Sequence, residues 1–163
     1  MSVRPLVMYP DPRLRQRAVV VDAFGADLEQ LAQDLIDTLI ATPAIGLTGP
    51  HIGEPKRVVV IRLADDALVR VYVNPEIVWT SPETRQEREG SVSMPGISET
   101  IERPARIGLT WRTLTGEEQQ GEAAGFLAVV LQHEIDQLDG IFWLDRLSRL
   151  KRERAIRRYG KRG

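Results

Sequence analysis

Two stretches of the chain repeat apolar side chains at steps of three and four. In the first, Leu28, Leu31, Ala32, Leu35, Ile36 and Leu39 oppose Glu29, Gln30, Gln33 and Asp37. That pattern predicts a helix over residues 26–41, stopped by Thr42-Pro43. In the second, Ala124, Leu127, Val130, Leu131, Ile135 and Leu138 predict a core-facing helix over 124–140. It should end at Asp139-Gly140, where Gly140 is free to adopt the left-handed conformation. The β-rich runs Arg57–Leu63 and Val69–Val73 flank a turn at Asp65-Asp66, and Ile77–Thr80 extends the second run beyond Asn74-Pro75. Ile107, Leu109 and Trp111 alternate with polar residues as a half-buried strand. Leu114-Thr115-Gly116 turns that strand into a polar, edge-like return over 117–122. Residues 44–53 hold three glycines and a proline, which predicts a shaped loop or bulged strand. Residues 83–90 are polar and charged. A last helix starts near Ser148, a plausible N-cap. Strands that follow one another and segregated helices indicate the α+β class.

At 163 residues the chain is expected to be one domain, residues 1–163. No apolar run approaches the roughly 18 residues that span a bilayer, and the N-terminus lacks a signal peptide's apolar core. A cytoplasmic protein with no membrane partner is expected. Cysteine is absent, which excludes disulfides, thiolate nucleophiles and thiolate ligands. Charge changes the picture at the C-terminus. From Arg146 onward there are nine Lys/Arg and one acidic residue, leaving 13 basic and 22 acidic residues elsewhere. A basic tail on an acidic body suits a polyanion such as RNA, and equally suits a solvated terminal helix.

Candidate chemistry sits inside the second helix, at His133-Glu134-Ile135-Asp136-Gln137. The metallohydrolase pattern H-E-x-x-H places two histidines on one helix face around a metal, with the glutamate as general base. Here the first His and the Glu are present and Gln137 stands in the second place. The chain has two histidines. His133 lies among apolar neighbours, where an unpaired imidazole is costly, and His51 lies in the Gly-rich segment. Either histidine could instead be a structural residue bonded to a backbone carbonyl.

Three motifs together resemble the peptide deformylases, metalloenzymes that remove the formyl group from the N-terminal methionine of new bacterial proteins. Residues Ala44 to His51 resemble the family's G-Φ-G-Φ-A-A-x-Q, Glu89-Gly90-Ser91-Val92-Ser93 its E-G-C-L-S, and Gln132 to Leu138 its Q-H-E-x-D-H-L. PDPRLR, Val73-Asn74-Pro75-Glu76 and the terminal DRLSRLKRERAIR also match. The resemblance implies antiparallel sheets around a central helix carrying the H-E-x-x-Q motif, with N- and C-terminal helices. It implies a monomer that acts on N-terminal peptides of nascent proteins, with ribosome contact through the basic terminal helix. It also implies a divalent metal, iron, nickel or zinc, at the positions of Ser91, His133 and Gln137. Glu134 would be the catalytic acid–base and His51 would occupy the place of the glutamine that polarises the formyl oxygen. Gly46, Leu47, Gly90 and Val92 fall at positions lining the peptide cleft. Glu89, Arg103 and Asp136 match residues that brace the site.

Two of the three implied ligands depart from the family. A serine hydroxyl is a poor substitute for a thiolate, and a glutamine oxygen favours hard ions over iron or zinc. The site should therefore bind metal weakly or not at all, leaving Glu134 little to activate. His51 and Gln137 also exchange residue types between positions expected to face the metal. His51 could thus be a relocated ligand beside His133, or the exchange could be drift. Three functions remain open: a divergent deformylase or amidase whose activity is weak or altered, a non-catalytic binder of peptide N-termini or the ribosome, and a metal-independent hydrolase using Ser91.

Overall fold

The computed structural model describes residues 2–65 and 67–161. Asp66, part of the expected turn, and Arg162, in the basic tail, lie outside them. Seven strands and three α-helices follow in the order α1 (Ala26–Ala41), β1 (Gly46–Thr48), β2 (Val58–Ile61), β3 (Arg70–Thr80), β4 (Thr84–Ser91), β5 (Met94–Pro104), β6 (Arg106–Arg112), β7 (Glu118–Ala124), α2 (Gly125–Leu138) and α3 (Arg149–Gly160). The strands form an antiparallel sheet in the order β1-β2-β3-β6-β7 and a separate β4-β5 ribbon. This is the α+β architecture expected. No helix among the described residues is long and apolar enough to cross a membrane.

Three apolar clusters hold the layers together. Leu31, Leu35 and Leu39 of α1 pack on Val58 and Val60 of β2. The opposite faces of β2 and β3 offer Val59, Ile61 and Tyr72 to Ala128, Leu131 and Leu138 of α2, with Ile107 and Leu109 of β6. Met94, Ile97 and Ile101 of β5 meet Val7, Leu14, Phe142, Trp143 and Ala155 of α3. Helix α2 is thus covered on several sides. Its polar residues Gln132, Glu134, Asp136 and Gln137 are buried together with its apolar ones. The single core-facing stripe read from the sequence is widened to nearly the whole circumference, and polar groups so enclosed must find partners.

The sequence pattern missed the ribbon. The inward side of β4 is formed by Arg85, Glu87 and Glu89, paired across the ribbon with Arg103, Ile101 and Glu99. Alternation is present, but the inward positions are charged, half-buried at Arg85 and Glu87 and buried at Glu89, so apolar periodicity cannot register it. Strand β3 runs through Asn74-Pro75 with a register slip between Val73 and Glu76. There Asn74 adopts φ 50° and its amide exchanges two 2.8 Å hydrogen bonds with the Val21 backbone. Gly140, at φ 75°, ends α2 in the left-handed conformation as expected.

Strand β1 leads into a 3-10 turn, Gly49–Ile52, that delivers His51. A Cβ on Gly49 would lie 2.5 Å from the carbonyl oxygens of both Glu54 and Lys56. Backbone cannot swing aside as a flexible side chain can. We expect Gly49→Ala to cost about 2 kcal/mol, lowering the thermal midpoint by about 4–8 °C. In the same thermal unfolding experiment Gly160→Ala, where a Cβ meets nothing within 4 Å, should leave the midpoint unchanged or raise it.

Candidate active site

A cleft of about 630 Å3 opens between β1, the end of β4 and the first turns of α2. That volume suits a small ligand or a short peptide segment. Leu6, Ile45, Val92, Phe126, Val129 and Val130 give it apolar walls, and His51, Glu89, Ser91, His133 and Glu134 converge on it. Gly46 and Gly90 line it too, as expected. The approach at Gly46 is close, since a Cβ there would lie 2.5 Å from Glu134 Oε2. Phe126 escaped notice in the sequence, although it sits seven residues before His133 and so on the same helix face. A second depression of about 940 Å3 lies beyond the far end of α2, beside β6 and β7. Its arginines Arg17 and Arg57 are already paired with Asp139 at 3.4 and 2.7 Å, and Arg112 with Glu118 at 3.0 Å.

A buried ionic network braces the cleft. Arg103 of β5 donates from Nε and Nη2 to the two oxygens of Glu89, at 2.6 and 2.9 Å, and from Nη1 to Asp136 at 2.9 Å. Asp136 also accepts two bonds from Arg146. His133 Nδ1 lies 2.9 Å from Glu89 Oε1. Burial would raise the Glu89 carboxyl, but the bonds from His133 and Arg103 outweigh it and hold it below the ordinary range. Burial likewise disfavours the His133 imidazolium, yet the charges of Glu134 and Glu89 prevail and raise it. With Nδ1 committed to Glu89, His133 has Nε2 left for the cleft. A histidine held this way by a carboxylate is a common arrangement behind a metal ligand.

His51 and Glu134 are each left with an unsatisfied atom. His51 is fully enclosed, and burial, with the His133 charge adding to it, pushes its imidazole down to about 3. It is therefore neutral near neutral pH. Its Nδ1 accepts the backbone N–H of Thr48 at 3.0 Å, with the Thr48 hydroxyl 2.9 Å away. A neutral imidazole whose Nδ1 accepts carries its proton on Nε2. That Nε2–H is buried without a partner. Glu134 Oε1 is buried and unpartnered as well, and burial raises the Glu134 carboxyl above its ordinary value. Both atoms are buried without a partner on residues that line the cleft, and an unsatisfied donor and carboxyl there would be met by a polar ligand.

The remaining expected residues are placed differently. Ser91 lines the cleft, and its Oγ accepts the Ser93 N–H at 3.1 Å. Gln137 is buried and does not line the cleft; its amide donates to the Leu14 carbonyl at 2.7 Å. Leu47 is fully buried among the residues packed on α1, so its side chain serves the core rather than the cleft. Among the described residues, no three His, Asp or Glu side chains are grouped to hold a metal ion. The donor set at the three expected ligand positions thus does not fit iron or zinc: one imidazole nitrogen, a neutral hydroxyl and a neutral amide. The relocated-ligand idea meets a further obstacle, because a protonated Nε2 offers His51 no lone pair to a metal.

The chain matches the family model described as Polypeptide deformylase over residues 3–153. A Brucella suis protein described as peptide deformylase-like is 57% identical over 161 residues, 99% of this chain and 98% of that protein. A second protein of the same Brucella suis strain, described as peptide deformylase, is 40% identical over 164 residues, 99% and 94% of the respective chains. The crystal structure of a peptide deformylase from Ehrlichia chaffeensis in complex with actinonin superposes with a TM-score of 0.93 at 34% identity, covering 99% of this chain and 98% of that one.

The enclosure of His51 gives stability a pH dependence. The native imidazole binds its proton only near pH 3, whereas the unfolded one does so below about 6.5. Between those values the unfolded state binds more protons, so stability is complete above pH 6.5 and is lost as pH falls. Relative to His51→Gln, the unmodified protein should lose about 2 kcal/mol between pH 7.5 and pH 5 in urea unfolding. Parallel pH profiles for the two proteins would show that the imidazole is solvated.

Proposed function

The chain belongs to the polypeptide deformylase family, and from that premise we propose that it binds peptide N-termini in its cleft without the family's metal–water hydrolysis. The observation that carries this reading is the engagement of the Gln137 amide by the Leu14 carbonyl, outside the cleft lining. With Ser91 a neutral hydroxyl, His133 is left as the sole strong donor of the three. The family's metal supplies a lowered water pKa and a Lewis acid, and this donor set is too weak to retain it. In this reading the apolar walls take an apolar first side chain such as methionine. The His51 Nε2–H donates to the oxygen of an N-acyl or backbone carbonyl, and Glu134 accepts from the adjoining N–H. His51 thereby works as a neutral donor, as the amide of a glutamine would. Gly46 and Gly90 let the peptide backbone come close, and Val92 adds wall.

The relatives support a separate role. Brucella suis has proteins of both descriptions, and this chain is 57% identical to the deformylase-like one and 40% to the other. The basic helix Arg149–Gly160 would bring the protein to a polyanion, ribosomal RNA being the natural candidate where new N-termini emerge. A second reading, weak or altered amide hydrolysis, is favoured by one feature: Glu134 keeps an unpartnered oxygen beside the cleft.

Binding and turnover of formyl-Met-Ala-Ser separate the two. We expect calorimetric binding with no deformylation under anaerobic conditions, with or without added iron, nickel, cobalt or zinc. The pair Ser91→Cys and Gln137→His restores a thiolate and a second imidazole. Outer-shell changes alone alter metal sites by about 10–100-fold, so restoring two ligands should raise metal-dependent turnover by on the order of 100-fold or more. Efficient deformylation by the unmodified protein at one iron per chain would overturn the proposal.

A further inference from the structure

The rim of the cleft carries a charge without a counter-charge. Arg88 of β4 is exposed and lines the cleft beside Val92, Pro95 and Phe126. Its Nε and Nη2 lie 3.2 and 2.9 Å from the Ser98 hydroxyl, and Nη2 also donates to the Ser98 carbonyl at 3.2 Å. A guanidinium with three contacts to a neutral residue is held in place yet keeps its full charge. Each nearby carboxylate is otherwise engaged. Glu89 points to the other face of the ribbon, with both oxygens taken by Arg103 and one also beside His133. Glu102 shares the face of Arg88, but accepts from the Thr84 hydroxyl at 2.6 Å. Glu87 pairs with Arg85, and Glu99 lies 3.9 Å from Arg158. Among the described residues Arg88 has no carboxylate within ion-pair distance.

We infer that Arg88 selects among the peptides the cleft takes, favouring those with an acidic side chain two to four residues from the N-terminus. The inference rests on the peptide-binding reading and adds the sequence class of the ligand. An extended peptide advances about 3.3 Å per residue, so a first residue on the apolar floor carries its next residues outward past the rim. There the carboxylate of Asp or Glu meets the Nη1 edge of Arg88, which the Ser98 contacts leave open. Ser98 has already restricted the arginine, so less side-chain freedom is lost on pairing. The apolar wall behind it concentrates the field of the cation.

The test uses C-terminally amidated formyl-Met tetrapeptides on the full chain. One series is all alanine after methionine; the others place Asp, or Lys, at position 2, 3 or 4. With the unmodified protein at low salt, Asp at one of these positions should tighten binding roughly threefold to fivefold over alanine, and Lys should weaken it. The preference should shrink in 0.5 M NaCl, where screening reaches over only a few ångströms. Arg88→Ala should erase the ratio between Asp and Ala peptides, Arg88→Lys should keep part of it, and Arg88→Glu should invert it in favour of Lys. Equal binding of Ala and Asp peptides at all three positions overturns the role of Arg88 and leaves the peptide-binding reading standing. If no tetrapeptide of any series binds, both fail together.

Discussion

The structure depends on one buried guanidinium. Arg103 joins three elements: its own strand β5, the neighbouring strand β4 through Glu89, and the central helix α2 through Asp136. Removing ions from water is expensive, and their attraction compensates only where geometry is good and the remaining hydrogen-bonding capacity is filled. Both conditions are met here. Arg103 spends Nε, Nη1 and Nη2 on carboxylate oxygens, Asp136 takes Arg146 as a second partner, and Glu89 takes His133. A hydrophobic replacement could hold the layers together, but it could not fix the orientation of His133. The network therefore ties the position of a ribbon to the position of a side chain in the cleft.

The polar groups at the expected ligand positions also take partners within the protein. Glu89 answers His133, and the Leu14 carbonyl answers the Gln137 amide. Thr48 answers one nitrogen of His51. Of the three buried side-chain atoms left without a partner among the described residues, His51 Nε2 and Glu134 Oε1 belong to residues lining the cleft, while Trp143 Nε1 lies in the β5 core cluster. In the proposed reading, one donor and one acceptor with apolar walls give the cleft a preference for an amide beside an apolar side chain, and Arg88 at the rim adds a preference for charge.

Much of the fold was legible in the sequence because it rests on apolar period. Helix α1 spans the residues its stripe predicted, and α2 ends at the predicted glycine. The ribbon was not legible, because the inward residues of β4 are Arg85, Glu87 and Glu89. Arg85 and Glu87 are half-buried and pair with each other, while the buried Glu89 is held by Arg103 of β5 and His133 of α2, partners that no local window contains. Leu47 was expected at the cleft because its motif resembles one whose backbone or side chains line the family's peptide cleft. Its motif neighbours line it, but strand alternation turns its side chain to the α1 core.

What the chain settles by itself is the supply of chemical groups: two histidines, no thiol, a glutamate on a helix after the first of the expected ligands, and glutamine where a second imidazole would stand. These follow from composition and spacing, which need no third dimension. The protonation and direction of those groups were decided by tertiary structure alone. Whether the imidazole at 51 offers a lone pair or a proton depends on the Thr48 backbone N–H, and whether the amide at 137 reaches the cleft depends on a carbonyl 123 residues away. Hydrogen bonding is directional and acts over about 3 Å, so its outcome is fixed only once distant segments have been brought together.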